Sequence, residues 1–397
     1  MGRKDGDRRV KRAEKGSKEE KTMDFSALKA YVDQLPHVGV PGCDLIVFQD
    51  HTPIFHHMAG CRDAAGREPM RGDETYWLYS CTKMITTCAA MQLIGAGKMN
   101  LDDPVSAYLP AYAHLTVKEG TSVRPAKRVM TIRHLMSMQS GLSYELIRPA
   151  VTETVRRTDG KASTREIVDA LAGEPLEFEP GTDFLYSLSH DVLAAVIEVV
   201  SGQRFSAYLR DHLFAPLGLE AFTFAPGERE LKNFCAAWTE TDGKRVPNGP
   251  DGNNYRLSEN YESGGAGLMG DVKSFITFLD AMACGGSAPD GTVLLPPEMI
   301  QLWRANQLGP KSRKTFDAWN RLGYSYALGV RTRVTLAVGT GGALGEFGWD
   351  GAAGAWGMMD AERHLSAYFG MHVRNFGYSY DVIHPTIRSL IYEGLGK

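Results

Sequence analysis

Strand-like segments stand at both ends of this 397-residue chain, and helical segments fill its middle. Near the start, the apolar runs 43–48 and 53–58 are separated by the polar turn 50–52, which predicts a β-hairpin. Asp271 is a suitable N-cap and predicts a helix over 272–283. Strands are predicted over 326–331, 334–338, 355–359 and 365–373, and a closing amphipathic helix over 380–392. Strands at both ends with helices between them predict one sheet built from both termini.

This pattern divides the chain into three parts. Residues 23–97 and 265–397 are expected to form an α/β sheet domain, and residues 98–264 a mostly helical domain inserted into it. Residues 1–22 mix Lys, Arg, Asp and Glu without an apolar core. They therefore predict a disordered charged tail rather than a secretory signal.

Composition excludes several classes of function. The net charge of -3, with 43% hydrophobic and 23% charged residues, is typical of a globular protein and gives no general attraction to nucleic acid or to an anionic membrane. No apolar stretch reaches the roughly 18 residues of a membrane span. The six cysteines are scattered without a Cys-x-x-Cys pair, which indicates reduced thiols. We expect a cytoplasmic protein, and the sequence gives no indication of its oligomeric state.

Ser80 and Lys83 form a Ser-x-x-Lys motif at the start of an apolar run that predicts a buried helix over 80–96. Residues three apart on a helix share a face, so the hydroxyl and the amine can hydrogen-bond. A serine hydroxyl needs a neighbouring base to become a nucleophile, and a lysine can be that base only when its pKa is lowered. The motif therefore indicates acyl transfer through Ser80, with Lys83 buried.

Two later segments extend this motif. Tyr186 follows the polar turn 179–183 at the entry of a predicted helix, where a phenol could relay protons. Residues 348–354 are rich in glycine, so a substrate could approach the backbone closely there and meet an amide donor for an oxyanion.

Three such segments in this order resemble the serine β-lactamase and penicillin-binding-protein superfamily. The stretches 135–142, 213–219 and 264–268 also look like this superfamily. Within it the chain is most similar to the family VIII carboxylesterases. The sequence Tyr-Ser-Leu-Ser at 186–189 is followed by Asp-Val-Leu at 191–193, and Trp349 opens the third motif, 349–351. The resemblance implies a β-lactamase-like fold: a central antiparallel sheet flanked by helices, with a helical insertion.

The resemblance also implies roles for individual residues. Ser80 is the expected nucleophile, Lys83 and Tyr186 share the general base and acid roles, and the amides of Ser80 and Ala352 form the oxyanion hole. The expected substrate-binding residues are Ser187, Trp349, Asp350 and Gly351. The implied partner is a small-molecule ester, and the implied chemistry uses neither a metal nor an organic cofactor.

Departures from the superfamily pattern bear on the substrate. Leu188 stands where β-lactam-binding members have Asn, so a side-chain amide that would hold a substrate carbonyl is absent. Trp349 replaces a Lys that helps bind the β-lactam carboxylate, and Asp350 follows it in place of Thr or Ser. An anionic substrate is then expected to lose a cation and to meet a carboxylate. We therefore expect a neutral or apolar ester, with Trp349 offering a flat apolar surface.

Other functions stay open. On the same fold, the chain could be a β-lactamase, a D-aminopeptidase or DD-peptidase, an acyltransferase, or a silent binding module. A Ser-His-Asp enzyme is disfavoured because no Gly-x-Ser-x-Gly elbow is present. Residues 265–270 match Gly-x-Gly-x-x-Gly, but the segment before them is poorly strand-like, which argues against nucleotide binding. His56 and His57 would point to opposite faces of a strand, so they cannot share one metal ion.

Overall fold

The computed structural model describes residues 23–319, 321–339 and 341–396. The tail predicted over residues 1–22 lies outside them. The helices in these parts of the chain are α1 (Ser26–Gln34), α2 (Thr82–Gly95), α3 (Ile132–Met136), α4 (Pro149–Arg157), α5 (Thr164–Leu171), α6 (Ser189–Ser201), α7 (Phe205–Leu209), α8 (Glu228–Lys232), α9 (Val272–Ala283), α10 (Pro297–Arg304), α11 (Pro310–Asp317) and α12 (His384–Gly394). The strands are β1 (Gly42–Gln49), β2 (Thr52–Gly60), β3 (Thr75–Trp77), β4 (Thr116–Glu119), β5 (Ser122–Pro125), β6 (Ala237–Thr241), β7 (Lys244–Asn248), β8 (Met269–Asp271), β9 (Tyr324–Tyr326), β10 (Arg331–Arg333), β11 (Phe347–Asp350), β12 (Trp356–Asp360), β13 (Leu365–Met371) and β14 (Val373–Arg374).

The main sheet joins both ends of the chain, as the sequence predicts. Its strand order is β2-β1-β13-β12-β11-β10-β9, and neighbouring strands run antiparallel. In β1, Leu45 and Val47 face a core formed with α1 and α12, while Ile46 faces the core that contains α2 and α9. This alternation follows from the two-residue period of a strand and leaves a helical layer on each face of the sheet. The expectation of a β-lactamase-like fold with a central antiparallel sheet is confirmed.

Helix α2 places Lys83, the lysine of the Ser-x-x-Lys motif, in the protein interior. Its residues from Thr82 to Met91 are all buried, because α2 packs between α6 and the main sheet. The prediction of a buried helix from this apolar run is therefore confirmed. Its first turn is a short 3₁₀ segment, Tyr79–Cys81, rather than α-helix.

Residues 98–264 hold helices α3 to α8 and two hairpins. Strands β4 and β5 pair with each other, and β6 pairs both with β7 and, in parallel, with β14 near the chain end. The segment is thus tied by backbone hydrogen bonds to the last strand of the chain.

Two predictions about local structure have opposite outcomes. Helix α9 begins where expected, since the Asp271 carboxylate accepts a hydrogen bond from the Ser274 amide at 2.6 Å. The predicted strand over 334–338 is wrong. The amides of Val334 and Thr335 both donate to the Gly323 carbonyl, which turns the chain away from the sheet and leaves the apolar side chains of this segment exposed.

No helix in the described parts of the chain is by itself long and apolar enough to cross a membrane; α6 and the following segment Phe205–Leu217 reach that length only as a pair bent by 74°. All six cysteines are free thiols.

Candidate active site

Ser80 sits at a sharp turn between strand β3 and helix α2. Tyr79, the residue before it, has a φ of 45°, which is a left-handed conformation that a bulky residue rarely adopts. Its ring is held 6.0 Å from that of Tyr255 and 6.2 Å from that of His372, measured between centroids. Packing therefore maintains a strained backbone directly before the nucleophile, as is common at functional sites.

Lys83 is fully buried and lies beside the Ser80 hydroxyl. Its Nζ is 3.3 Å from Ser80 Oγ, 3.2 Å from the Tyr144 hydroxyl and 2.7 Å from the Gly265 carbonyl oxygen. Burial lowers the pKa of Lys83 to about 7, against a weaker raising effect of Asp191. A neutral amine can donate to Gly265 and Tyr144 and still offer its lone pair to Ser80. The amine is thus placed to act as a base.

Tyr186 faces the same point from the start of α6. Its ring centroid is 4.6 Å from Lys83 Nζ, and its hydroxyl oxygen accepts a hydrogen bond from Trp349 Nε1 at 2.8 Å. Burial raises the pKa of Tyr186 well above its ordinary value, while hydrogen bonds with Ser80 and Trp349 lower it. The group is therefore a neutral phenol that carries its proton, with the indole N–H in contact with its oxygen.

Tyr144 is a member of the site that the sequence analysis missed. Besides its bond to Lys83, its ring stacks on Tyr186 with 5.4 Å between centroids. It stands just beyond the family-like stretch 135–142, which is the nearest signal in the sequence.

The two predicted oxyanion-hole residues, Ser80 and Ala352, line the same pocket. Among the described residues neither backbone amide has a hydrogen-bond acceptor. The turn that holds Ala352 is fixed by bonds from Gly351 N to the Ala355 carbonyl and from the Tyr380 hydroxyl to the Gly351 carbonyl. Two free donors, one of them in this fixed turn, suit a developing oxyanion.

Asp191 is a second residue that the sequence analysis did not place in the site. Its buried carboxylate accepts hydrogen bonds from Tyr261 and Ser263, each at 2.6 Å. A Cβ on Gly265 would lie 2.6 Å from the Asp191 Oδ2 and 3.4 Å from Lys83 Nζ, so the carboxylate and the amine flank the same glycine. The stretch 264–268, which contains this glycine, is therefore a wall of the site.

The site opens into a pocket of about 300 Å³ with mostly aromatic walls. It is lined by Ser80, Tyr144, Tyr186, Tyr255, Trp319, Arg321, Trp349, Asp350, Gly351, Ala352 and Tyr380. Of the predicted site residues, the structure places Lys83 behind Ser80 and all the others except Ser187 on this wall.

The prediction that the Ser187 side chain binds substrate is wrong. Its hydroxyl is fully buried and hydrogen-bonds to the Ser189 hydroxyl at 2.7 Å and to Met138 Sδ at 3.7 Å. The side chain therefore packs at the start of α6 instead of lining the pocket. Leu188 is likewise buried, in a cluster with Val151, and does not face the pocket.

The expectation that Asp350 presents a free negative charge to the substrate is also wrong. Its carboxylate is bonded to Arg321 at 2.6 Å and to the buried Arg331 at 2.9 Å. Burial alone would raise the pKa of Asp350, but these two cations hold it below its ordinary value. Since Arg321 also lines the pocket, the wall presents an ion pair rather than a lone anion.

Metal-ligating residues are absent from the described pocket wall apart from Asp350. His56 and His57 bond to separate carboxylates, Asp44 and Asp33, and so share no ion. The group in the described chain with metal-binding spacing lies elsewhere, at His51.

A buried Ser-Lys pair with a facing tyrosine, set between an antiparallel sheet and a helical region, defines a β-lactamase-fold serine hydrolase or acyltransferase. The chain belongs to the Beta-lactamase family, whose model matches residues 28–375.

Comparison with known proteins extends this result. The chain is 29% identical over 385 residues to Esterase EstB of Burkholderia gladioli, covering 88% of this chain and 93% of that protein. It is 26% identical over 295 residues to Acyltransferase mokF of Monascus pilosus, covering 70% of each. Among solved structures it matches EstCE1, "a hydrolase with promiscuous acyltransferase activity", with a TM-score of 0.76 and 24% identity, covering 93% of this chain and 98% of that one. The last likeness shows the fold alone.

Proposed function

We propose that the protein is a carboxylesterase that forms an acyl-enzyme on Ser80. The observation that carries this proposal is the 3.3 Å contact between Ser80 Oγ and the Nζ of a fully buried Lys83. Because burial lowers the pKa of Lys83 to about 7, a large fraction of the amine is neutral near neutral pH and can accept the serine proton.

Acylation then follows from the positions of four groups. Lys83 takes the proton of Ser80, whose oxygen bonds to the ester carbonyl carbon, and the amides of Ser80 and Ala352 stabilise the oxyanion. When the carbon–oxygen bond to the alcohol breaks, Tyr186 gives its phenolic proton to the leaving alkoxide. The Lys83 ammonium returns a proton to Tyr186, which restores the neutral pair.

Deacylation uses the same groups in the reverse sense. Tyr186 passes its phenolic proton to Lys83 and, as the phenolate, takes a proton from a water molecule, whose oxygen attacks the acyl carbonyl. The Lys83 ammonium then gives its proton to Ser80 Oγ as the carboxylic acid leaves, so that acid and base exchange roles between the two halves of the reaction.

The pocket supports a neutral ester as substrate. Its walls are mostly aromatic, and its one pair of charges, Arg321 and Asp350, is internally compensated. Such a surface favours apolar acyl or alcohol groups over charged ones. The name of the EstB relative is consistent with ester hydrolysis.

Replacing Ser80 tests this function. With a short-chain nitrophenyl ester, Ser80→Ala should lose turnover while its Tm stays within about a degree of wild type, because one buried oxygen is removed. A fluorophosphonate should add its mass at Ser80 in the wild type only. Undiminished turnover in Ser80→Ala would refute the proposal, and absence of both turnover and labelling in the wild type would indicate a silent binding module.

Acyl transfer is the second candidate, because the names of mokF and EstCE1 include that activity. The acyl-enzyme is the same, and an alcohol replaces the water. Adding an acceptor alcohol to the ester assay and measuring the ratio of new ester to free acid separates the two functions. Nitrocefin and a D-alanyl amide in the same assay test amide hydrolysis, which is disfavoured because no Asn or Gln side chain lines the described pocket.

A further inference from the structure

Three side chains with metal-binding atoms meet outside the pocket, where the turn between β1 and β2 touches the end of α9. His51 lies in this turn, Asp280 lies in the last turn of α9, and Cys284 follows the helix directly. One ligand atom from each lies within 4.8 Å of the other two. We propose that His51, Asp280 and Cys284 bind a zinc ion.

The distances fit a small metal ion. His51 Nδ1 is 2.7 Å from Asp280 Oδ2, and Cys284 Sγ is 3.8 Å from Asp280 Oδ1. In a tetrahedral zinc site with bonds of roughly 2.0–2.3 Å, neighbouring ligand atoms lie about 3.2–3.7 Å apart. The Cys284–Asp280 separation is already close to this range, whereas the His51–Asp280 contact has to open for both atoms to reach one ion.

The choice of ligands selects the class of metal. Imidazole and thiolate together suit zinc, whereas magnesium and calcium prefer sites made of oxygen atoms only. Cys284 binds as the thiolate and releases its proton to solvent. A carboxylate and a thiolate together balance the charge of a divalent cation.

Burial at this place supports an ion with an open fourth position. The Asp280 side chain is 4% exposed and that of His51 is 27% exposed, so the carboxylate is inside and the imidazole borders solvent. A bound cation offsets the cost of burying this carboxylate. Three protein ligands with solvent on one side leave the fourth position for water.

A metal ion here would fasten the first hairpin to the helix behind the sheet. Asp50 and His51 both have left-handed backbone conformations, with φ of 48° and 63°. Helix α9 packs against β1, β12 and β13, so a link from its end to His51 joins the hairpin to the layer that covers the sheet. The proposed role is therefore structural.

Cobalt substitution tests the proposal on the untagged full chain after treatment with a chelator. One equivalent of Co²⁺ should produce a thiolate-to-cobalt charge-transfer band in the near ultraviolet and intense visible bands of tetrahedral cobalt. Zn²⁺ should displace the cobalt and raise Tm by several degrees. Both signals report binding without any reference to ester hydrolysis.

Two cysteine variants make the test specific. Cys284→Ser should lose the charge-transfer band and bind Zn²⁺ more than about tenfold more weakly, since loss of an outer-shell partner alone costs roughly 10–100-fold. Cys61→Ser, which changes the other partly exposed cysteine, should behave like the wild type. His51→Ala should weaken binding while keeping the thiol. Absence of the band in the wild type, or an unchanged band in Cys284→Ser, would overturn the proposal.

Discussion

The indole nitrogen of Trp349 donates a hydrogen bond to the phenolic oxygen of Tyr186 at 2.8 Å. Trp349 is 3% exposed, so this bond is shielded from water. The sequence predicts only a flat apolar surface for this tryptophan, whereas the structure also makes it a partner of the proposed acid. A hydrogen bond to an oxygen that becomes negatively charged strengthens during the reaction.

Removing this bond should slow catalysis more than it weakens binding. Trp349→Phe keeps most of the aromatic surface but loses the donor, and we expect kcat to fall by roughly 10–100-fold, which corresponds to about 1.5–3 kcal/mol for a bond to a charged group. KM for a nitrophenyl ester should change little. Trp319→Phe is the matched control, because Trp319 lines the same pocket next to Tyr186 without donating to it. A larger loss of kcat in the control variant would contradict this role for Trp349.

The pH dependence of ester hydrolysis should follow Lys83. Burial lowers its pKa to about 7, and only the neutral amine can take the proton from Ser80. The value of kcat/KM should therefore rise with pH and level off above about 7. Lys83→Arg, which stays protonated, should be inactive throughout this range. A flat profile between pH 5 and 9 would exclude Lys83 as the base that controls the rate.

Asp191 should affect the pH at which kcat/KM rises. Its carboxylate raises the pKa of Lys83, so Asp191→Asn removes a negative charge that favours the ammonium form. The ascending limb should then move to lower pH, while the amide oxygen of Asn still accepts the hydrogen bonds of Tyr261 and Ser263. Asp169→Asn changes an acidic residue of α5 away from the pocket and should leave the limb in place. A shift to higher pH in Asp191→Asn would contradict this assignment.

Asp350 should contribute strongly to stability. Asp350→Asn leaves the fully buried Arg331 without its 2.9 Å partner, and loss of one member of a buried ion pair costs about 3–5 kcal/mol. Urea unfolding monitored by tryptophan fluorescence would measure this loss. Because the pKa of Asp350 is held below its unfolded value of 3.8, its contribution should be complete above about pH 4 and disappear as the pH falls further. Asp102→Asn, which alters a surface pair with Arg133, should cost less than about 1 kcal/mol.

The sequence predicts best those parts of the site that are local. Ser80 and Lys83 are three residues apart on one helix, so their contact follows from helical geometry. Tyr186 and Ala352 are distant in sequence and could be placed only through the order of motifs that resembles a known family. Tyr144 lies outside these motifs, and Asp191 stands in the family-like stretch 191–193 but has no role assigned from the sequence. Their relation to Lys83 depends on how separate helices and loops pack.

The errors have related physical causes. Ser187 is next to Tyr186 in the motif, but its hydroxyl hydrogen-bonds to the Ser189 hydroxyl at the start of α6. The charge of Asp350 cannot be judged from its own segment, since Arg321 and Arg331 come from other strands and loops. The apolar run 334–338 has strand character, yet its first two amides donate hydrogen bonds to the Gly323 carbonyl. In each case a contact distant in sequence determines what the local pattern leaves open.

The pairing of β1 with β13 has a consequence for biosynthesis. Leu45 lies opposite Phe369, so β1, which pairs with the edge strand β2 on one side, has to wait for a second partner that the ribosome delivers more than three hundred residues later. Ser80 emerges early, whereas the turn with Ala352 emerges near the end. A nascent chain released before that turn would carry the proposed nucleophile but lack half of the proposed oxyanion hole. Closure of the sheet and onset of activity should therefore coincide during translation.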